Sequence, residues 1–422
     1  MTRFRCLSAF IALFSCALHI NVNAEEWQQI PVPATVEIIN DEGQPQTLSP
    51  ACALETITDP ATGAAIPNDF HFYFKPGNAG KLVVFFNGGG ACWNDATCVT
   101  SLALSGVPGG RPTYNPSMYT ENSPVDAGGI FDDDNPRNPF SNWSKVFIPY
   151  CTGDIHIGSN DVIYEDTTGI ITGVPAAPVP VRHRGFDNFM AVREWLKDYY
   201  AHSTVKPRRM LVAGSSAGGY GATINFPYLQ AAFPRARTAL LSDGAAGVLS
   251  AGFVESTFSF GHTWGVENSL APMFAQFMGA YQAATLNQDM MGVLAASYPQ
   301  VRFAQYSTQL DAVQVLFYKI SSEIDAGNMD PFTWGLTEDD YLLFMEWSAA
   351  MTGSYTFLNE YMPNYQYFIG AGDAHTVLTN TYLTAPGENP FYDERAGRMR
   401  FTRWLHQFAN RWQFRKTSVI DQ

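Results

Sequence analysis

The segment Gly214-Ser215-Ser216-Ala217-Gly218 constrains the fold more than any other stretch of the chain. A strand-like run, Arg209-Met210-Leu211-Val212-Ala213, precedes it, and Gly219-Tyr220-Gly221-Ala222-Thr223-Ile224, which can wind into a helix, follows. A strand that turns directly into a helix leaves room only for small residues beside the central serine. The tight turn holds that serine outward at the helix N-terminus, where backbone N–H groups and the helix dipole favour negative charge. Ser216 is therefore expected to be a nucleophile on a strand-to-helix elbow.

The rest of the chain fits an α/β arrangement. Apolar runs at 81–86, 145–150, 238–242, 301–306 and 365–369 read as strands, each ending near a glycine or an acid, and 70–74 reads as another. Residues 186–200 place Phe186, Phe189, Met190, Leu196 and Tyr199 at helical spacing, and a last helix is expected near 391–413. Alternating strands and helices predict a mostly parallel sheet covered on both faces, with functional loops at the carboxyl ends of the strands. We expect one domain over 25–422, with a β-rich cap at 25–80 and a helical insertion at 251–295. Residues 100–140, rich in Gly, Pro, Asn and Asp, are expected to be mostly loop.

The first 24 residues carry Arg3 and Arg5, then an apolar run from Leu7 to Leu18, then the small-residue segment Val22-Asn23-Ala24. This predicts a secretory signal peptide, because the run is shorter than the roughly 20 residues of a spanning helix. No integral membrane segment is expected after its removal, and the protein is expected to be secreted or periplasmic. Without residues 1–24 the chain keeps 23 basic residues against 39 acidic ones. Such a surface repels nucleic acid and anionic membranes, so no nucleic-acid partner is expected. Four cysteines remain: Cys52, Cys92, Cys98 and Cys151. An even number in an exported chain predicts two disulfides with three possible connectivities, and the proximity of Cys92 to Cys98 suits a loop staple. No metal site is expected.

A serine hydroxyl needs a base, and the base needs an orienting acid. Among the histidines, His375 follows a late strand in Gly370-Ala371-Gly372-Asp373-Ala374-His375, which is where a base last in chain order belongs. His156 and His183 are read as loop residues that could line the cleft, His71 as structural and His406 as solvated. For the acid, Asp311 and Asp243 both lie at strand ends between Ser216 and His375, and the pattern leaves the choice open. The oxyanion donors are expected from the N–H of Ala217 and from Gly89 and Gly90 in the loop Gly88-Gly89-Gly90-Ala91. Asp132-Asp133-Asp134 lacks the other marks of a calcium loop and is read as solvated. The Phe- and Met-rich stretch with Phe253, Phe258, Phe260, Trp264, Met273, Phe274, Phe277 and Met278 is either an acyl pocket or core.

Four segments resemble the pectin acetylesterase and Notum family of secreted serine carboxylesterases. They are Phe85-Phe86-Asn87-Gly88-Gly89-Gly90-Ala91-Cys92-Trp93, the run from Asn138 to Asp154, Gly214 to Gly219, and Leu241-Ser242-Asp243-Gly244. The resemblance implies an α/β-hydrolase fold with Ser216 as nucleophile and His375 as base. It also implies Asp311, in Asp311-Ala312-Val313-Gln314, as the acid, with Asp243 beside the site. It implies disulfides Cys92–Cys98 and Cys52–Cys151 and no cofactor. Trp93 and Asp243 are expected to touch substrate. The implied substrate is an O-acetyl ester on a polysaccharide such as pectin. The alternatives are a longer-chain deacylase using the Phe/Met stretch, or a catalytically silent exported binding protein.

Overall fold

The computed structural model describes residues 26–421 except 41–42, 60–61, 126, 381–383, 385–386 and 412–414, so the expected signal peptide and the end of the expected last helix, 412–413, lie outside the described residues. Nine strands form the main sheet: β1 (Gln28–Pro31), β2 (His71–Lys75), β3 (Asn78–Phe86), β4 (Trp143–Ile148), β5 (Arg209–Ser215), β6 (Arg237–Asp243), β7 (Arg302–Thr308), β8 (Tyr365–Gly370) and β9 (Val419–Ile420). Their spatial order is β1-β2-β4-β3-β5-β6-β7-β8-β9. Only β1–β2 and β2–β4 pair antiparallel, and every other pairing is parallel.

The central strands are continuous apolar runs because both faces are buried. Successive side chains point to opposite faces. Leu82, Val84, Phe86, Met210, Val212, Leu240 and Phe303 accordingly enter one core. Their neighbours Val83, Phe85, Leu211, Ala213, Leu241 and Ala304 enter the other. The first core is closed by helices α1 (Gly185–Ala201), α2 (Ala217–Ala232), α3 (Ala251–Thr257) and α4 (Leu286–Ser297). Two further helices, α5 (Ala312–Asp325) and α6 (Tyr341–Tyr361), precede β8. The second core is closed by α7 (Phe401–Asn410), whose Phe401, Trp404, Leu405 and Phe408 are buried on one stripe. A mostly parallel sheet between helical layers, with an elbow at the end of β5, is the α/β-hydrolase fold.

Three features differ from the sequence reading. Residues 71–75 belong to the main sheet as β2 and not to a cap. The N-terminal region adds β1 at the sheet edge and two small hairpins, Val36–Ile39 with Pro45–Leu48 and Thr56–Thr58 with Ala65–Pro67. The last helix is shorter than 391–413, because Gly397 at φ 57° turns the chain between the short strands Arg395–Ala396 and Met399–Arg400 before α7 begins. His183 ends a strand, Ala177–His183, which pairs antiparallel with Asn160–Asp166. The stretch 251–295 lies between β6 and β7 and carries α3, the short helix Pro272–Ala275 and most of α4, joined by turns.

Two disulfides close loops in this frame, Cys52–Cys151 across 99 residues and Cys92–Cys98 across 6. Chain-entropy reasoning gives the larger loop about 4.7 kcal/mol of stabilisation.

Candidate active site

Ser216 lies between β5 and α2 with φ 56° and ψ −125°. A non-glycine residue in that region costs about 1–3 kcal/mol and persists only where its surroundings impose it. Here they do. The Ser216 N–H donates to the Asp243 carbonyl at 2.7 Å, and the Ser216 carbonyl accepts from Gly219 N–H at 2.8 Å. A Cβ on Gly214 would come within 2.0 Å of the Gly218 carbonyl, and one on Gly218 within 2.0 Å of the Phe86 carbonyl. The elbow therefore needs glycine at both positions. The Ser216 hydroxyl is half-buried, and no hydrogen bond holds it among the described residues.

Asp311 begins α5 as its N-cap and accepts from the N–H groups of Val313 and Gln314 at 3.2 and 3.0 Å. The Gln314 amide donates to its other oxygen at 2.8 Å, while the Gln314 carbonyl oxygen accepts from Ala246 N–H at 2.7 Å. A fully buried carboxylate thus has its lone pairs engaged before it meets His375. Both oxygens lie 2.9 Å from His375 Nδ1. The loop carrying His375 is tied to the same region: Ala312 N–H donates to the Asp373 carbonyl and the Thr308 hydroxyl to the Ala374 carbonyl. Burial pushes the His375 pKa down, but the charge and hydrogen bond of Asp311, aided by the charge of Asp243, outweigh it and hold the imidazole above its ordinary value. His375 Nε2 is buried with no hydrogen-bond partner among the described residues.

Ser216 and His375 line one narrow cavity of about 50 Å³, partly open to solvent. Val248, Leu249, Phe253, Phe258, Leu286 and Phe317 form most of its apolar wall. Gly90, Ala91 and Ala217 line it beside Ser216. Ala217 is the first residue of α2, so its N–H has no intrahelical acceptor. Ala91 N–H is occupied by the Thr113 carbonyl at 2.9 Å. Gly90, at φ 79°, cannot be replaced, since a Cβ there would lie 1.9 Å from the Thr113 carbonyl. Gly89 precedes it without lining the cavity, its backbone packed on the Tyr150 ring. An unpartnered imidazole nitrogen, a free hydroxyl and free amides around one apolar space can carry out acyl transfer.

The expectation that Trp93 and Asp243 touch substrate is corrected by their burial. Trp93 is 5% exposed and packs edge-on behind Phe253, with ring centroids 4.8 Å apart, outside the cavity lining. Asp243 is 0% exposed and spends its oxygens on the Ser215 hydroxyl and the N–H groups of Val377 and Leu378, clasping the chain after His375 to β5. Burial, the largest influence, lifts its carboxyl to about 6 although these bonds oppose the shift.

His156 and His183 do not line the cavity. His183 bonds the Tyr164 hydroxyl and the Thr152 carbonyl. His156 Nε2 donates to the Asn87 carbonyl at 2.8 Å, and burial lowers its pKa to about 4, so it is neutral and holds the start of the glycine loop. Of the Phe/Met stretch, Phe253 and Phe258 line the cavity, Trp264 and Phe274 are core, and Phe260 and Phe277 are exposed. The sequence reading missed Ile155, Tyr220, Val313, Gln314 and Phe317 in the lining. The spacing of Val313, Gln314 and Phe317, adjacent and four apart on the helix after Asp311, was the available signal.

Residues 67–256 match the protein family described as Pectinacetylesterase. No curated protein matches the chain. A crystal structure of the Wnt deacylase Notum from Drosophila is similar over 94% of this chain and 97% of that one, at 15% identity and a TM-score of 0.53. A second crystal form of the same protein covers 84% of this chain and 92% of that one, at 16% identity and a TM-score of 0.47. At such identity the likeness of the first speaks to the fold.

Proposed function

We propose that this chain, whose residues 67–256 match the pectinacetylesterase family, is a hydrolase of carboxylic esters with Ser216 as its nucleophile, acting on O-acyl groups carried by a glycan. The observation that carries this reading is the convergence of the free Ser216 hydroxyl and the unpartnered Nε2 of an Asp311-held His375 on one cavity. Hydrogen bonds of this kind are often unmade without substrate and tighten in the reacting complex.

In the proposed cycle His375 Nε2 takes the Ser216 proton as Oγ attacks the ester carbonyl. The N–H groups of Ala217 and Gly90, with Gly89 behind them, stabilise the oxyanion. Asp311 keeps the Nδ1 proton in place and favours the imidazolium that forms. The imidazolium protonates the leaving alcohol. His375 then activates water to release the acid and restore the serine. No step calls on a metal or organic cofactor.

An O-acetyl ester is the substrate the family description supports. The wall of Phe253, Phe258, Leu286 and Phe317 favours a second reading, in which longer acyl chains fill the cavity. Comparing p-nitrophenyl acetate, octanoate and palmitate decides between them, since a palmitate preference overturns the acetyl reading. Export rests on residues 1–24 and is supported by the two disulfides, which suit an oxidising compartment. No helix among the described residues is long and apolar enough to cross a membrane.

A further inference from the structure

A second cleft adjoins the first and shares only Val248 and Leu249 with it. It offers about 430 Å³ between the segment 246–251, α4, α5 and α6, and is partly open to solvent. That is within the range of small-ligand sites, roughly 300–1,000 Å³. Its lining differs in kind from the apolar cavity. Ser250, Asn287, Gln288, Tyr318, Ser322 and Ser354 supply hydroxyl and amide groups. No Lys, Arg, His, Asp or Glu lines it.

The polar floor is already ordered. The Asn287 amide donates to Ser354 Oγ at 2.8 Å and to Gln305 Oε1 at 3.1 Å, and its carbonyl oxygen accepts from Gln305 Nε2 at 2.8 Å. The Tyr318 hydroxyl donates to Glu346 at 2.7 Å, which fixes the one aromatic ring of the lining. By contrast, no hydrogen bond engages the Gln288 amide or the Ser322 hydroxyl among the described residues. Ala251, Ala284 and Ala350 are exposed and small, leaving the mouth unobstructed.

An uncharged lining that combines apolar surface with hydroxyl and amide groups has no charge to neutralise an anion or a cation, and it leaves polar groups unpaired under a wholly apolar ligand. It suits a neutral, many-hydroxyl ligand, with a fixed aromatic ring available for packing against a sugar face. A chain of net charge −14 also disfavours a polyanion. We propose that this cleft binds a neutral oligosaccharide and anchors a neutral glycan next to the acyl cavity. This rests on the glycan-ester reading above and specifies its glycan as uncharged rather than uronate-rich.

The test is calorimetric titration of the full Ser216→Ala chain with xylohexaose, cellohexaose and hexagalacturonate. Because this chain cannot turn over, binding stands or falls apart from hydrolysis. At least one neutral sugar is expected to bind and hexagalacturonate is not. Ala350→Trp, which blocks the mouth, and the double variant Gln288→Ala with Ser322→Ala, which removes the free polar groups, should each weaken binding about tenfold or more. Thermal melting of each variant checks that the fold is kept. No binding by either neutral sugar, equal binding of hexagalacturonate, or undiminished binding in both folded variants overturns the proposal.

Discussion

Asp311 presents both carboxylate oxygens to His375 Nδ1, each at 2.9 Å. The carboxylate reaches the imidazole already fixed by two helix N–H groups and by Gln314, so orientation of the proposed base is built into the start of α5. Asp311→Asn is expected to lower kcat by roughly 10⁴-fold, since an amide favours the wrong imidazole tautomer. The pH profile gives a second readout. A base acts when neutral, so kcat/KM is lost as pH falls through its pKa. Burial lowers the His375 pKa but Asp311 raises it further, which places the acid limb above that of an ordinary histidine. In Asp311→Asn the limb should move to lower pH. An unchanged limb would assign the acid's role elsewhere.

The His156 imidazole, through its bond to the Asn87 carbonyl, sets where the Gly88–Gly90 loop begins. Loss of that bond in His156→Phe should displace the oxyanion amides. We expect kcat to fall on the order of 10²-fold with KM little changed. His156→Gln, which keeps a donor, should recover part of the loss. Equal rises in KM would instead indicate damage to substrate binding.

Asp243 is fully buried, and although its hydrogen bonds and the charge of His375 oppose the shift, its folded pKa, about 6, exceeds the unfolded value of about 3.9. Between those values the folded chain retains a proton that the unfolded chain has lost. Ionisation in place therefore weakens folding as pH rises through about 4 to 6. Asp243→Asn removes that ionisation. Its melting temperature relative to the parent should rise steadily across the window. Asp243→Ala leaves Ser215 and two N–H groups unpaired and should cost on the order of 3 kcal/mol, measured by denaturant unfolding. A pH-independent difference for Asp243→Asn would contradict the account.

Phe317 lines the cavity from α5 and is only half-buried, so Phe317→Trp can narrow the space without disturbing the core. Hydrolysis of p-nitrophenyl octanoate should fall about tenfold, of the order expected from a poorly fitted methylene or two, while the acetate is spared. A parallel loss on both esters would mean that the acyl group lies elsewhere.

The framework was legible in the chain because each link is local. The β5 run, the glycines at 214 and 218 and the apolar start of α2 each have one steric solution, and the alternating cores of β3 and β5 follow from strand geometry. Contacts that depend on burial were not legible. Trp93 and Asp243 look like substrate residues because both sit beside conspicuous motifs, yet one is sealed behind Phe253 and the other is consumed by Val377 and Leu378. The expected long C-terminal helix ignored what Gly397 permits. The strand Ala177–His183 was hidden because Pro178 and Pro180 interrupt its pattern, which a two-stranded hairpin outside the main sheet tolerates.

The central claim is that one hydroxyl, on Ser216, is activated by His375. The most direct measurement is labelling of the folded chain with a fluorophosphonate, followed by peptide mass spectrometry, with Ser216→Ala and His375→Ala alongside. The account predicts a single adduct on Ser216, absent in the first variant and formed far more slowly in the second. Ester hydrolysis that persists in Ser216→Ala, or an adduct on another residue of the active protein, would contradict it.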